Sequence, residues 1–457
     1  MTELIRKKLS DSAGARWTAL FIVAFTMMMG YFITDVMSPL EVLLETSKAQ
    51  GGLGWSSSDY GFFAGSYGLI NVFLLMLFFG GLILDKMGIR FTGVMASGLM
   101  VVGVVIKYIG VTADFGDSTF TLQFVNFSLP MSAAVASLGF AIFGVGCEIC
   151  GITISKVITK WFTGHELALA MGVQVGLARL GTFAAMSFSL PVARAFGNRV
   201  SAPVLLGAVL LIVGLLAFIV YTVMDKKLDA SAAAIDAETQ HNADDEGFHF
   251  ADLKFIFTNP GFWCIALLCL MFYGGVFPFL KFATKLMVAN YHVPAQFAGT
   301  LPGLLPLGTI ALTPIFGIIY DKIGKGVTLM LIGSTMLALV HCIFMLHLLP
   351  VGWFAVVMMI ILGVAFSLVP SAMWPSVPKI IPLKLLGSAY AIIFFIQNIG
   401  LSLFPVAIGK LNEADPTFSR MEMLFMSCGI MAILLAFALL AFDKKKHYGL
   451  QEANIKK

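Results

Sequence analysis

One acid and one arginine stand out in the stretch Gly144–Gly181, GVGCEICGITISKVITKWFTGHELALAMGVQVGLARLG. Glu148 lies 16 residues before Gly164, and Arg179 lies 15 after it. If two apolar helices meet in a tight turn at Gly164, about 1.5 Å of rise per residue sets both charges roughly 22–24 Å from that turn. They then share one depth. Opposite charges at one level in an apolar hairpin are costly unless they face a cavity or each other. Held apart, they suit the two ends of a small zwitterion, since a guanidinium grips a carboxylate through two parallel hydrogen bonds. Closed on each other, they form a structural salt bridge, a poor stabiliser once desolvation is counted.

Other polar side chains interrupt apolar surroundings. Tyr67 and Asn71 share one helical face. Trp374, Gln397 and Asn398 offer an aromatic wall and the neutral hydrogen bonds that an unspecific pocket needs. Asp35 falls near the end of the first apolar run, where a wet position competes with a cavity or gate role. Lys281 and Lys285 lie one turn apart at the end of another run, and snorkelling accounts for both. His341 is expected as a satisfied interior histidine rather than a proton relay. Cys147 and Cys150 form a CxxC inside a helix with no second pair, so these two and cysteines 264, 269, 342 and 428 are expected to pack rather than bind metal or form disulfides. No nucleophile-base set, phosphate loop or metal cluster is arranged for catalysis, so neither an enzyme nor a cofactor is expected.

The elements around these residues are apolar throughout. The chain of 457 residues is 59% hydrophobic and 12% charged, against roughly 25% charged in soluble domains. No basic and aromatic cluster suggests a nucleic-acid surface. Apolar runs fall near 17–44, 59–84, 91–112, 131–160, 166–195, 201–224, 261–288, 295–320, 326–348, 352–377, 384–410 and 421–443. Each can cross about 30 Å of hydrocarbon. The partner expected is therefore a lipid bilayer. Most of the 29 lysines and arginines fall on the side of the chain ends, including Arg6, Lys7, Lys8, Lys384, Lys456 and Lys457. That bias places both termini in the cytoplasm.

A polar, acid-rich segment at 225–252 is the expected linker between a six-helix bundle at 1–224 and another at 253–457, with 248–257 as a surface helix. The halves repeat. GLILDKMGIR at Gly81–Arg90 recurs as GIIYDKIGKG at Gly317–Gly326, and a second pairing sets Gly144 on Gly363 and Arg179 on Asn398. Parallel six-helix repeats are what two rocking transporter halves leave in a sequence.

The GxxxDKxGxR loop resembles the signature of the major facilitator superfamily, and its weakened recurrence is similar to that family's second half. The resemblance implies an all-α, twelve-helix membrane fold in two pseudo-symmetric bundles. It also implies gate roles for Asp85, Lys86, Arg90, Asp321 and Lys322 on the cytoplasmic side. A narrower resemblance, to a dipeptide-transporting branch of that superfamily, runs through YFITD (31–35), FFGGLILDKMGIR (78–90), GVGCE (144–148), KWFTGHELALAMGVQVGLARLG (160–181), FYGGVFPF (272–279), SAMWPSVPKIIP (371–382) and LGSAYAIIFFIQNIG (386–400). It implies that Glu148 and Arg179 hold a peptide's charged ends, and it favours cavity positions for Asp35 and Lys285.

The expectation is a monomeric alternating-access transporter of dipeptides, and the short loops and lysine-rich tails suit a bacterial inner membrane. An accessory subunit and proton coupling stay open. A proton-coupled transporter of small organic anions, or a membrane nutrient sensor that moves nothing, are the alternatives. The short tails weigh against a sensor.

Overall fold

The computed structural model describes residues 9–123, 127–162, 165–236, 253–382 and 385–453. Twelve long helices dominate: α1 Ala13–Asp35, α2 Ser57–Phe73, α3 Met76–Thr112, α4 Met131–Phe162, α5 Leu167–Ala195, α6 Ser201–Asp236, α7 Pro260–Tyr291, α8 Thr300–Ile323, α9 Gly326–Met345, α10 Gly352–Ile380, α11 Leu386–Ala414 and α12 Ser419–Lys446. All of them but the 17-residue α2 fall in spans long and apolar enough to cross a membrane. A short antiparallel hairpin, β1 Thr119–Leu122 with β2 Phe127–Pro130, caps the link from α3 to α4.

The second crossing differs from the continuous helix expected over 59–84. It breaks at Leu74 and Leu75, where Leu75 takes a left-handed φ of 51°. The chain then completes the crossing over residues 76–87 and swings straight into the third at Gly88, whose φ of 76° and ψ of 170° only glycine adopts without strain. The glycine of the repeated loop thus makes the turn.

The expected linker also begins later. α6 runs on to Asp236, so 225–236 is helix. Asp225 is fully buried and receives Arg90 Nε at 2.9 Å, Lys160 Nζ at 2.9 Å and the Tyr221 hydroxyl at 3.1 Å. Residues 237–252 lie outside the described residues, as do Arg6, Lys7, Lys8, Lys384, Lys456, Lys457 and the turn at 163–164. Leu253–Thr258, part of the expected surface helix, is helical.

The side on which α1 begins and α12 ends is called the terminal face. On the opposite face the two halves close on each other. Small residues of α2 let α11 approach: a Cβ on Gly61 would lie 2.5 Å from the Pro405 carbonyl oxygen, and one on Gly65 2.3 Å from that of Ser402. Ion pairs then span the seam. Lys281 of α7 reaches Asp35 at 2.5 Å and the Thr34 carbonyl at 2.7 Å, while Tyr60 of α2 donates to the Lys281 carbonyl at 2.9 Å. Lys281 is therefore a seam residue rather than a snorkelling one. Toward the terminal face the glycine contacts lapse. Gly172 of α5 has nothing within 4 Å of a built Cβ. Among the described residues, the halves meet on one face and stand apart on the other.

Candidate functional site: a midplane cavity

Between the halves lies a cavity of about 590 Å³ whose lining reaches toward the terminal face at Leu77, Ser155 and Gly172. Such a volume lies in the range of small-molecule sites, roughly 300–1,000 Å³. Glu148 of α4 and Arg179 of α5 both line it. They form no ion pair with each other, so the closed salt bridge is not the arrangement found. Instead Glu148 Oε1 accepts a hydrogen bond from the Tyr67 hydroxyl at 2.9 Å. The Arg179 guanidinium lies among three rings, 5.1 Å from the centroid of Phe366, 5.4 Å from Phe277 and 5.9 Å from Tyr31. Aromatic faces stabilise a cation without neutralising it. Its hydrogen-bonding fork stays available to a carboxylate.

The second half supplies most of the aromatic wall. Trp374 donates from Nε1 to the Tyr273 hydroxyl at 3.0 Å, and its ring stacks on Phe394 with centroids 5.0 Å apart. Tyr390 donates to the Trp374 carbonyl at 3.2 Å. Gln397 lines the cavity beside them, accepting a weak contact from Cys269 Sγ at 3.4 Å. Glu148 and Arg179 are the only two charged side chains among the lining residues.

Five of the nine expected substrate contacts therefore meet on one surface: Glu148, Arg179, Tyr67, Trp374 and Gln397. The other four do not line it. Asp35 is held by Lys281 in the closed seam. Lys285 is turned to Glu45 at 2.5 Å, Ser57 at 2.8 Å and Glu41 at 3.5 Å. Asn398 folds back to donate to the Phe394 carbonyl at 3.0 Å. Asn71 is buried with neither amide atom partnered. Tyr67 and Asn71 are close in sequence, yet only Tyr67 reaches the cavity.

The repeated loops sit at the terminal face. Asp85 bonds Lys156 of α4 at 2.7 Å, Lys86 is exposed, and Arg90 pairs with Asp225 and Asp229 of α6. These bonds lie within the first half. Asp321 and Lys322 occupy the last turn of α8.

Reasoning from sequence missed several members. Tyr31 and Tyr273 lie within the fragments YFITD and FYGGVFPF, but a tyrosine in an apolar helix carries no mark that it faces a cavity. His341 is the satisfied interior histidine expected: Nδ1 lies 2.6 Å from Glu422 and Nε2 3.1 Å from the Gly275 carbonyl, all buried. Lys107 lies five residues before the end of α3. It is fully buried, donating to the Ile33 carbonyl at 3.0 Å with Phe140 4.4 Å away.

The sequence profile described as Major Facilitator Superfamily matches residues 20–405. The chain belongs to the major facilitator superfamily. Among curated members, the lysosomal dipeptide transporter MFSD1 of Danio rerio is 25% identical over 386 residues, covering 82% of this chain and 77% of the relative. The protein of the same name from Gallus gallus is 26% identical over 313 residues, covering 67% and 68%. Solved superfamily structures share the fold. A D-xylose-proton symporter aligns with a TM-score of 0.69 at 15% identity, covering 93% of this chain and 97% of that one. A POT family transporter in complex with 5-aminolevulinic acid aligns with a TM-score of 0.66 at 14% identity, covering 93% and 96%. The chain is a multi-pass membrane protein of a transporter family.

Proposed function

We propose that this protein carries dipeptides across its membrane by rocking its two halves about the midplane cavity. The observation that carries this reading is a single cavity holding one unpaired acid and one unpaired arginine, with neutral and aromatic groups elsewhere. Glu148 would take the peptide ammonium, with Tyr67 fixing the carboxylate's rotamer. Arg179 would take the peptide carboxylate. An extended dipeptide separates these groups by about 5–7 Å. Backbone ends so held leave the side chains against the aromatic wall, which has no second charge to select or reject them. The names of the Danio rerio and Gallus gallus relatives support the same substrate class.

The terminal face is then cytoplasmic and the closed seam external, in keeping with the placement of basic residues. The membrane is assigned as a bacterial inner membrane on the sequence's loops and tails, with the chain acting as a monomer. Asp85, Lys86, Arg90, Asp321 and Lys322 would control the cytoplasmic opening, while Asp35 and Lys285 belong to the external gate.

A thermal-shift screen of purified protein tests the substrate class, because a ligand that prefers the folded state raises the melting temperature. Dipeptides are expected to stabilise, free amino acids less so and simple carboxylates least. Stabilisation led by mono- or dicarboxylates would replace the dipeptide with an organic anion.

Asp85→Asn separates gate from cavity. The residue does not line the cavity and pairs with Lys156 at the exposed face. Dipeptide affinity is expected to stay within a few-fold while exchange in proteoliposomes slows. Loss of binding in folded protein would move Asp85 into the site.

A further inference from the structure

The external seam carries a charge mismatch that the cavity does not explain. Lys285 serves two acids, Glu45 at 2.5 Å and Glu41 at 3.5 Å, and its remaining close contact is the neutral Ser57 hydroxyl at 2.8 Å. Ser57 in turn donates to Glu45 Oε1 at 2.6 Å. Glu45 is thus well satisfied and partly exposed. Glu41 is not. It is 1% exposed, its Oε1 has only the long contact, and its Oε2 has no partner at all. Two carboxylates against one ammonium leave one negative charge buried without compensation, an arrangement that costs far more than an exposed pair.

The neighbours do not remove the mismatch. The short helix Glu41–Glu45 packs on α2, α7 and the turn Ser38–Leu40. From α2 it faces Ser57 and the Tyr60 hydroxyl, which is committed to the Lys281 carbonyl. From α7 it faces Lys285, while Lys281 is taken by Asp35 and Thr34 of α1. Lys107 donates to the Ile33 carbonyl and sits beside the Asp35–Lys281 pair rather than the Glu41 side.

We propose that Glu41 is a proton-binding site, loaded when the external seam is closed and emptied to the external water when it opens. With a proton on Oε2 the group Glu41, Glu45 and Lys285 is neutral. When α7 withdraws Lys285, water reaches Glu41 and the carboxylic acid gives up its proton as the carboxylate forms. Closure takes up one proton, so external acid favours the closed seam. The equilibrium between the two forms then shifts by at most about tenfold per pH unit, the slope for one linked proton. This rests on the two-half alternation and not on what the cavity carries.

Spin labels read the seam directly. Asp114→Cys and Glu413→Cys place one label on each half at exposed positions of this face. The background replaces Cys342 by alanine, the one native cysteine that is not buried. Without any substrate, the short-distance population is expected to grow as pH falls from 8 to 5 in otherwise wild-type protein. Glu41→Gln, which mimics the loaded acid, is expected to stay closed and flat over that range. Glu45→Gln leaves Glu41 alone with Lys285 and is expected to move the midpoint to lower pH. A flat wild type overturns the proposal, as does a Glu41→Gln variant that keeps the wild-type slope, which would assign the proton to another group. If Glu41→Gln does not fold, an unmoved midpoint in Glu45→Gln overturns it. None of these outcomes touches the dipeptide reading, which is decided by ligand binding.

Discussion

Arg179→Lys is expected to lose about a hundredfold in dipeptide affinity although the charge is kept, a difference of ~2.7 kcal/mol. The reason is geometric. Arg179 is set among the rings of Tyr31, Phe277 and Phe366, with no acid among the described residues bonded to its guanidinium. Lysine brings a point charge that neither stacks in that box nor offers two parallel donors to a carboxylate. The companion change, Glu148→Gln, keeps the hydrogen bond to Tyr67 within reach but removes the charge facing the peptide ammonium. It is expected to weaken free-amine dipeptides by about tenfold or more, the scale of a charge-assisted hydrogen bond, and to spare N-acetylated ones. Competition binding with free, N-acetylated and C-amidated forms of one dipeptide separates the two ends. Wild-type protein indifferent to both modifications has no two-ended clamp. Acetylated peptides and simple carboxylates binding best would hand the site to an organic anion.

Much of this site could be seen in the sequence because charge inside hydrocarbon is rare. Glu148 and Arg179 interrupt apolar runs 16 residues before and 15 after Gly164, and helical rise alone puts them at about one depth. The twelve crossings were visible for the same reason, since each needs its own apolar length. What a sequence does not carry is which face of a helix looks inward. Asn71 and Tyr67 are near neighbours on α2, yet Asn71 is buried away from the lining and only Tyr67 reaches the cavity. Long side chains mislead in another way. Lys281, Lys285 and Lys107 are all near helix ends, where snorkelling is the ordinary outcome. In the folded chain the first two cross to acids of the other half and the third bonds a backbone carbonyl. The Glu41–Glu45–Lys285 group joins residues 240 or more apart and became visible only in three dimensions.

Asp225 makes the same point most sharply, because polar sequence around it suggested a solvated linker. Its side chain is 0% exposed, while Asp229, one turn later and bound to the same Arg90 and Lys160, is 43% exposed. Both acids look alike in sequence, and burial alone distinguishes them. Asp225→Asn removes the buried acid from two cations that are 37% and 32% exposed and keep Asp229, and it also alters the contacts with Tyr221 and Trp161. Losing hydrogen bonds to a charged, buried acceptor costs about 1.5–3 kcal/mol. Asp229→Asn removes an exposed partner, which contributes about 0–1 kcal/mol. Thermal unfolding in detergent should therefore show a melting temperature several degrees lower for Asp225→Asn and near wild type for Asp229→Asn. Arg90→Lys should fall between them, since it keeps the charge but loses the planar donors that reach both acids. Equal melting temperatures for the two aspartate variants would mean that Asp225 is wet, and that α6 ends near the residue where the composition turns polar.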